Sequence, residues 1–175
     1  MENEFLAEEL SMMYEEELGI KPIDTSIFQQ PIKHLRAKKP LTLTADRTAG
    51  EAIKLMRERN VGCVLITKNE KLEGIFTERD VLLRVAGLAG AESRKLGELM
   101  KAGVETFQPE DSLAFVMNAM HVGGYRHVPV VDAEGHPIGV ASIRDIVRFI
   151  LDHFPESVLN LPPRPVRTTV VREGA

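Results

Sequence analysis

The 175 residues carry a formal charge of -4 and a pI near 5.8, which argues against a non-specific nucleic-acid binder with its broadly basic field. Cys63 is the only cysteine, so an intrachain disulfide and a cysteine-rich metal site are both excluded, and a reducing cytoplasm is the expected location. No apolar run approaches the roughly 18–20 residues of a membrane helix, and the acidic start MENEFLAEEL is unlike the basic start of a signal peptide.

Residues 1–30 read as an N-terminal arm. Its segment EFLAEELSMMYEEEL has helical composition, with apolar residues that need a partner surface. The basic run Lys33, His34, Arg36, Lys38 and Lys39 follows. It reads as a solvated linker, with phosphate or partner contacts as the other reading. From there one pattern is written twice, at an offset of about 64 residues.

The first copy spans residues 31–90. Pro40 marks a change of direction, and PLTLT at 40–44 predicts a leading strand. Ala49, Ala52, Ile53 and Met56 recur at helical spacing behind Thr48 and Glu51, which fit a capping box. Two strands are predicted next, VGCVLIT at 61–67 and LEGIFT at 72–77, joined by the polar turn KNEK. The helical segment TERDVLLRVAG closes the copy before the turn at Gly87–Gly90.

The second copy, residues 91–153, repeats this order. VETFQ at 104–108 is the predicted leading strand, followed by a turn at Pro109 and a helix with Leu113, Val116, Met117 and Met120 on one face, N-capped by Ser112. The strands YRHVPVV and PIGVAS flank the turn DAEG. SIRDIVRFILDHF then sets Ile143, Ile146, Val147 and Ile150 on one apolar face. Residues 154–175 are proline-punctuated and expected to be extended. Each copy thus reads βαββα, and a unit of about 60 residues is marginal alone, so the two are expected to pack on each other with pseudo-two-fold symmetry.

The copies agree best at Gly74-Ile-Phe-Thr77-Glu-Arg-Asp80 and Gly139-Val-Ala-Ser142-Ile-Arg-Asp145. A strand, a hydroxyl residue and an Asp three places on has two physical readings. In one, the hydroxyl is the N-cap and the carboxylate sits at the third helical position. In the other, the helix start faces a phosphate, the Asp accepts from the vicinal hydroxyls of a ribose, and the preceding Gly lets a ligand approach the strand. One hydroxyl can serve both.

No nucleophile elbow, Walker loop or H-E-x-x-H pattern is present, and no catalytic constellation is expected. Glu78, Glu98 and Glu110 read as solvated helix-end charges. His121, His127 and His136, with Asp132 nearby, match no compact metal-ligand spacing. Cys63 reads as a small buried hydrophobe.

Over about residues 31–153 the chain resembles the CBS-domain family, as a tandem pair of the kind called a Bateman module. The two G-h-x-[ST]-x-x-D segments carry the resemblance, supported by LGELMKAGVETFQPEDSL and GYRHVPVVD. The resemblance implies an α+β fold in which the repeats pack through their sheets with helices outside, commonly as a homodimer. It also implies a regulatory adenine-nucleotide ligand such as AMP, ADP or ATP, with S-adenosylmethionine, NAD or a cyclic dinucleotide sharing the same adenosine. A regulated protein of unknown identity, or alternatively a ligand-independent dimerisation or scaffold role, completes the expectation.

By the same resemblance, Thr77 and Asp80 face Thr106 and the strand Tyr125, Arg126, His127 and Val128. Ser142 and Asp145 face Thr42 and the strand Val61, Gly62, Cys63 and Val64. Arg126 and His127 suit phosphate, whereas Gly62 and Cys63 at the matching positions bring no fixed charge. The Asp80 cleft is therefore expected to hold phosphorylated ligand more tightly.

Overall fold

A computed structural model describes residues 25–35 and 37–153; most of the expected arm and all of the expected C-terminal tail lie outside these residues. The first repeat runs β1 (Thr42–Thr44), α1 (Ala49–Arg59), β2 (Cys63–Lys68), β3 (Lys71–Thr77) and α2 (Glu78–Arg84). After the short helix α3 (Leu96–Leu99) and the two-residue strand β4 (Lys101–Ala102) come α4 (Leu113–Gly123), β5 (His127–Val131), β6 (Pro137–Ser142) and α5 (Ile143–His153). The fold is α+β, as the periodicity predicts.

Local chemistry explains most boundaries. Thr48 caps α1 with a complete capping box to Glu51, and Asn60 ends the helix in the left-handed conformation. Gly87 and Gly90, with φ of 75° and 73°, make the turn after α2 that an L side chain would disfavour. Ser112 occupies the N-cap of α4 but makes no side-chain capping bond, so that expectation holds in position only.

In β2 and β3, alternation sorts one continuous apolar run onto two faces. Val64, Ile66 and Phe76 join Ala49, Ala52 and Met56 in a core under α1. Cys63, Leu65 and Ile75 point the other way and meet Val140 of β6 and Val104, which joins the sheets of the two repeats. A second core lies under α4 and α5, built on Phe107, Val116, Val128 and Ile146.

The strands are exchanged between repeats. β1 runs parallel to β2, and β2 and β3 are antiparallel, but the fourth strand of this sheet is β4, which belongs to the second repeat. Reciprocally, Lys38, which precedes β1, bridges antiparallel to Val140 of β6. Each repeat completes the other's sheet.

Three local expectations are corrected. VETFQ does not form a strand: only Phe107 pairs, in a single parallel bridge to Val130, because it is drawn into the core while its neighbours stay exposed. Gly74 does not clear space for a ligand. A Cβ there would lie 2.7 Å from the Lys101 carbonyl oxygen, so the glycine admits the exchanged strand β4. Finally, Ile146 of α5 is buried while Ile143 and Val147 are 41% and 49% exposed, so the apolar face is only partly covered within one chain.

Candidate functional site

Both repeated motifs close a capping box. The Thr77 hydroxyl accepts from Asp80 N–H at 3.3 Å, while Asp80 Oδ2 accepts from the Thr77 backbone N–H at 3.0 Å and from its hydroxyl at 2.7 Å. Ser142 and Asp145 repeat the pattern, with 3.1 Å from Ser142 N–H to Asp145 Oδ2 and 3.3 Å from Asp145 N–H to the Ser142 hydroxyl. In each motif Oδ2 is committed to the cap and Oδ1 is turned to an arginine one helical turn on. Arg84 lies 3.7 Å from Asp80 Oδ1, and Arg148 lies 3.6 Å from Asp145 Oδ1. At these distances neither arginine holds the oxygen in a close bond, so Oδ1 retains acceptor capacity.

Each carboxylate borders a cavity between the repeats. The first, about 570 Å³, brings Thr77 and Asp80 against Tyr125, Arg126 and His127. The second, about 250 Å³, brings Ser142 and Asp145 against Val61, Gly62 and Cys63. The expected cross-facing of motif and strand is present in both.

Four expected residues do not line either cavity, the first being Val64, which is fully buried in the first repeat's core. Val128 is fully buried in the second repeat's core, because β5 alternates and only His127 and Pro129 face the first cavity. Thr42 points to solvent from β1, and Pro40 and Leu41 reach the second cavity instead. Thr106 is exposed; Phe107, hydrogen-bonded on both sides to Pro129 and Val131, is anchored next to it, and Val104 and Glu105 line the first cavity in its place.

The charge balance of the two cavities differs from that of the matched strand positions alone. The second cavity is the more cationic, lined by Lys38, Lys39, Arg126, Arg144 and Arg148 against the carboxylates of Glu78 and Asp145. The first sets Arg79, Arg84, Lys101 and Arg126 against Glu78, Asp80 and Glu105. Comparing only the matched strand positions missed the cations that α5 and the exchanged segment before β1 deliver.

The cavities share a wall made of Gly62, Glu78, Arg126 and His127. Glu78 therefore does more than decorate a helix end, and the i, i+2 relation to Asp80 contained no signal for it. Gly62 is needed here for its size: a Cβ would stand 3.0 Å from His127 Cε1 and 3.2 Å from Glu78 Oε2. Gly123 likewise leaves room for the Tyr125 ring, whose hydroxyl donates to Glu105 and is pushed up to about 12, by desolvation first and then by that carboxylate. The Cys63 thiol is also pushed up to about 12, by burial and then by Glu78, so it stays protonated and unreactive.

Burial lowers the pKa of His127; Arg126 and Arg144 add to this, and Glu78 and Asp145 oppose it. The folded protein thus takes the proton less readily than the unfolded chain. Stability from this group is fully present above the unfolded value of about 6.5 and is lost as pH falls below it toward the folded value. Denaturant unfolding at about pH 7.5 and about pH 5.5 should show a larger loss for the native protein than for His127→Gln. Equal losses in the two proteins would refute this assignment.

Elsewhere, one ligand atom each from Asp132, Glu134 and His136 lies within 4.8 Å of the others at the β5–β6 turn. Asp132 accepts there from the backbone N–H groups of Glu134 and His136, which accounts for the cluster as a turn-closing arrangement. Among the described residues, no helix is long and apolar enough to cross a membrane.

The comparisons with known proteins converge. The chain is 33% identical over 127 residues to the CBS domain-containing protein CBSX3, mitochondrial, of Arabidopsis thaliana, covering 69% of this chain and 61% of that protein, so it spans less than two thirds of that relative. Among solved structures, the CBS-domain protein ATU1752 from Agrobacterium tumefaciens is 30% identical with a TM-score of 0.64, over 70% of this chain and 95% of that one. The CBS domain pair of protein MJ0100, solved in complex with 5'-methylthioadenosine and S-adenosyl-L-methionine, is 25% identical with a TM-score of 0.64, over 71% and 98%. The family model described as "CBS domain" matches twice, at residues 32–87 and 96–152, and with the reciprocal strand exchange between those two segments this places the chain in the CBS-domain family, as a tandem pair.

Proposed function

We propose that the chain is a regulatory module that binds an adenosine-containing ligand in the clefts between its repeats and catalyses nothing itself. The observation that carries this reading is the doubled carboxylate: Asp80 and Asp145 each cap a helix with one oxygen and keep the other at a cavity. Vicinal ribose hydroxyls are a natural partner for such an oxygen, through charge-assisted hydrogen bonds. The cavity of about 570 Å³ at Asp80 lies within the range of small-molecule sites. The ligands of the MJ0100 domain pair support an adenosyl ligand here. AMP, ADP and ATP are the leading candidates, and S-adenosylmethionine, NAD and cyclic dinucleotides share the adenosine.

Ligand binding regulates a partner protein by favouring one arrangement of the repeats, to the extent of its differential affinity for the two states. The proposed working form is a cytoplasmic homodimer. The exposed apolar side chains Leu82 and Leu83 on α2, Phe115 and Val122 on α4 and Ile143 and Val147 on α5 favour a second copy as the covering surface.

A ligand-independent dimerisation module is the second reading, favoured by the capping boxes, which give each Asp a complete structural role. Calorimetry of the full chain with AMP, ATP, S-adenosylmethionine and 5'-methylthioadenosine separates the two. Saturable heat at micromolar to millimolar ligand is expected. No heat with any of the four would leave the scaffold reading.

A further inference from the structure

The two cavities differ in the state of their cations as well as in their number. In the Asp80 cavity three of the four are committed. Arg79 donates to the Gly124 carbonyl at 2.9 Å, Arg84 donates to the Leu99 carbonyl at 2.6 Å, and Lys101 lies 5.6 Å from the centre of the Tyr125 ring. Three carboxylates face the same space, and Glu105 is held there by the Tyr125 hydroxyl. A chain of phosphates entering this cavity would meet repulsion that these cations are poorly placed to relieve.

The Asp145 cavity has the opposite character. Asp145 is opposed by Arg148 at 3.6 Å, and Lys38, Lys39 and Arg144 make no ion pair among the described residues. The two lysines are positioned by the fold: the Lys38 carbonyl accepts from Val140 N–H at 3.4 Å, pinning the segment to β6 at the edge of the cavity. Both lysines are exposed, so they stand at the mouth of a space of about 250 Å³. That is less than the roughly 300 Å³ at which small-molecule pockets usually begin, so a nucleotide seated by its adenosine would leave its phosphates at the mouth.

The geometry points to a division of ligands by charge, resting on the adenosyl-ligand reading above. The Asp145 cleft takes a nucleoside polyphosphate, gripped at its phosphates by Lys38 and Lys39 with Arg144. The Asp80 cleft takes an adenosyl ligand that lacks a phosphate chain. The lysines of the linker before β1 are then specificity-determining residues, and one module reads two chemical classes.

The test is calorimetric titration of the full chain and its Lys38→Gln/Lys39→Gln double variant with ATP and, separately, with adenosine. The exposed lysines can be exchanged without altering the core, and unchanged thermal unfolding checks this. ATP affinity should fall about tenfold in the double variant, as expected for two lost charge contacts at exposed, solvent-screened positions, with adenosine affinity within twofold of the native value. A fall of threefold or more for ATP alone supports the division. A smaller fall, or an equal fall for both ligands, overturns it while leaving adenosyl binding intact. If the native chain binds neither ligand, the adenosyl reading itself fails and takes the division with it.

Discussion

Gly74→Ala should destabilise the protein by about 2–3 kcal/mol, or roughly 4–12 °C in melting temperature, while Gly139→Ala should stay within about 0.5 kcal/mol. The two glycines occupy the same place in the repeated motif, so composition and local propensity give no reason to separate them. Their surroundings do. A Cβ on Gly74 would meet the Lys101 carbonyl oxygen at 2.7 Å and Met100 Sδ at 2.9 Å. The sulfur belongs to a flexible side chain and can move, but the carbonyl belongs to the backbone of β4, which is paired to β3 through Gly74 and Ile75. Relief therefore requires the exchanged strand to separate from its sheet, and overpacking against backbone is costly. On Gly139 the nearest atoms are Ala37 Cβ at 3.5 Å and Val130 Cβ at 3.7 Å, which is ordinary packing. Neither glycine adopts positive φ, so the contrast is steric. Thermal or urea unfolding of both variants reads it directly, and equal destabilisation would mean that the strand exchange does not discriminate between the repeats.

That contrast marks the limit of what is legible in the residue pattern. Elements with a sustained period were read close to their observed bounds: the strand predicted at 137–142 matches β6, and the helix predicted behind Thr48 starts at Ala49. Elements held by one or two pairs were not. β4 and the Lys38 bridge are too short to carry a period, and they are the pieces that cross between repeats. VETFQ has strand composition but only Phe107 is captured by a partner. The same distinction governs the site. Asp80, Asp145 and the hydroxyls before them are fixed by a local motif and stand where the motif implies. Residues transferred as a consecutive run, such as Tyr125 to Val128, had to be sorted by alternation, which sends Val128 into the core. The cations that shift the charge balance come from Lys38, Lys39, Arg144 and Arg148, which sit outside the matched strands; phosphate contact is only the second reading of the basic run that holds the two lysines, and tertiary placement is what sets all four at the cavity.

The capping and ligand roles of the repeated Asp are separable by a pair of substitutions, and Asp80 is the better test because its cavity is the larger. Asp80→Asn keeps an oxygen in the place of Oδ2, able to accept from the Thr77 backbone N–H and hydroxyl, so the capping box survives. It loses the negative charge near the start of α2, worth about 0.3–1 kcal/mol. At the other position the change is larger, because the amide NH2 that takes the place of Oδ1 is a donor and cannot accept from the ribose hydroxyls. Hydrogen bonds to charged groups are worth about 1.5–3 kcal/mol, so affinity for 5'-methylthioadenosine should fall about 10- to 100-fold. Asp80→Ala removes both functions; it should lose similar affinity and a further 0.5–2 kcal/mol or so of stability through the broken cap. The two variants should therefore match in binding and differ in unfolding. If Asp80→Asn binds like the native chain and only Asp80→Ala is altered, the carboxylate is a cap alone and the motif loses its claim on the ligand. A loss of affinity in both, with stability retained in the Asn variant, assigns the free oxygen to the ribose while the other keeps the helix in place.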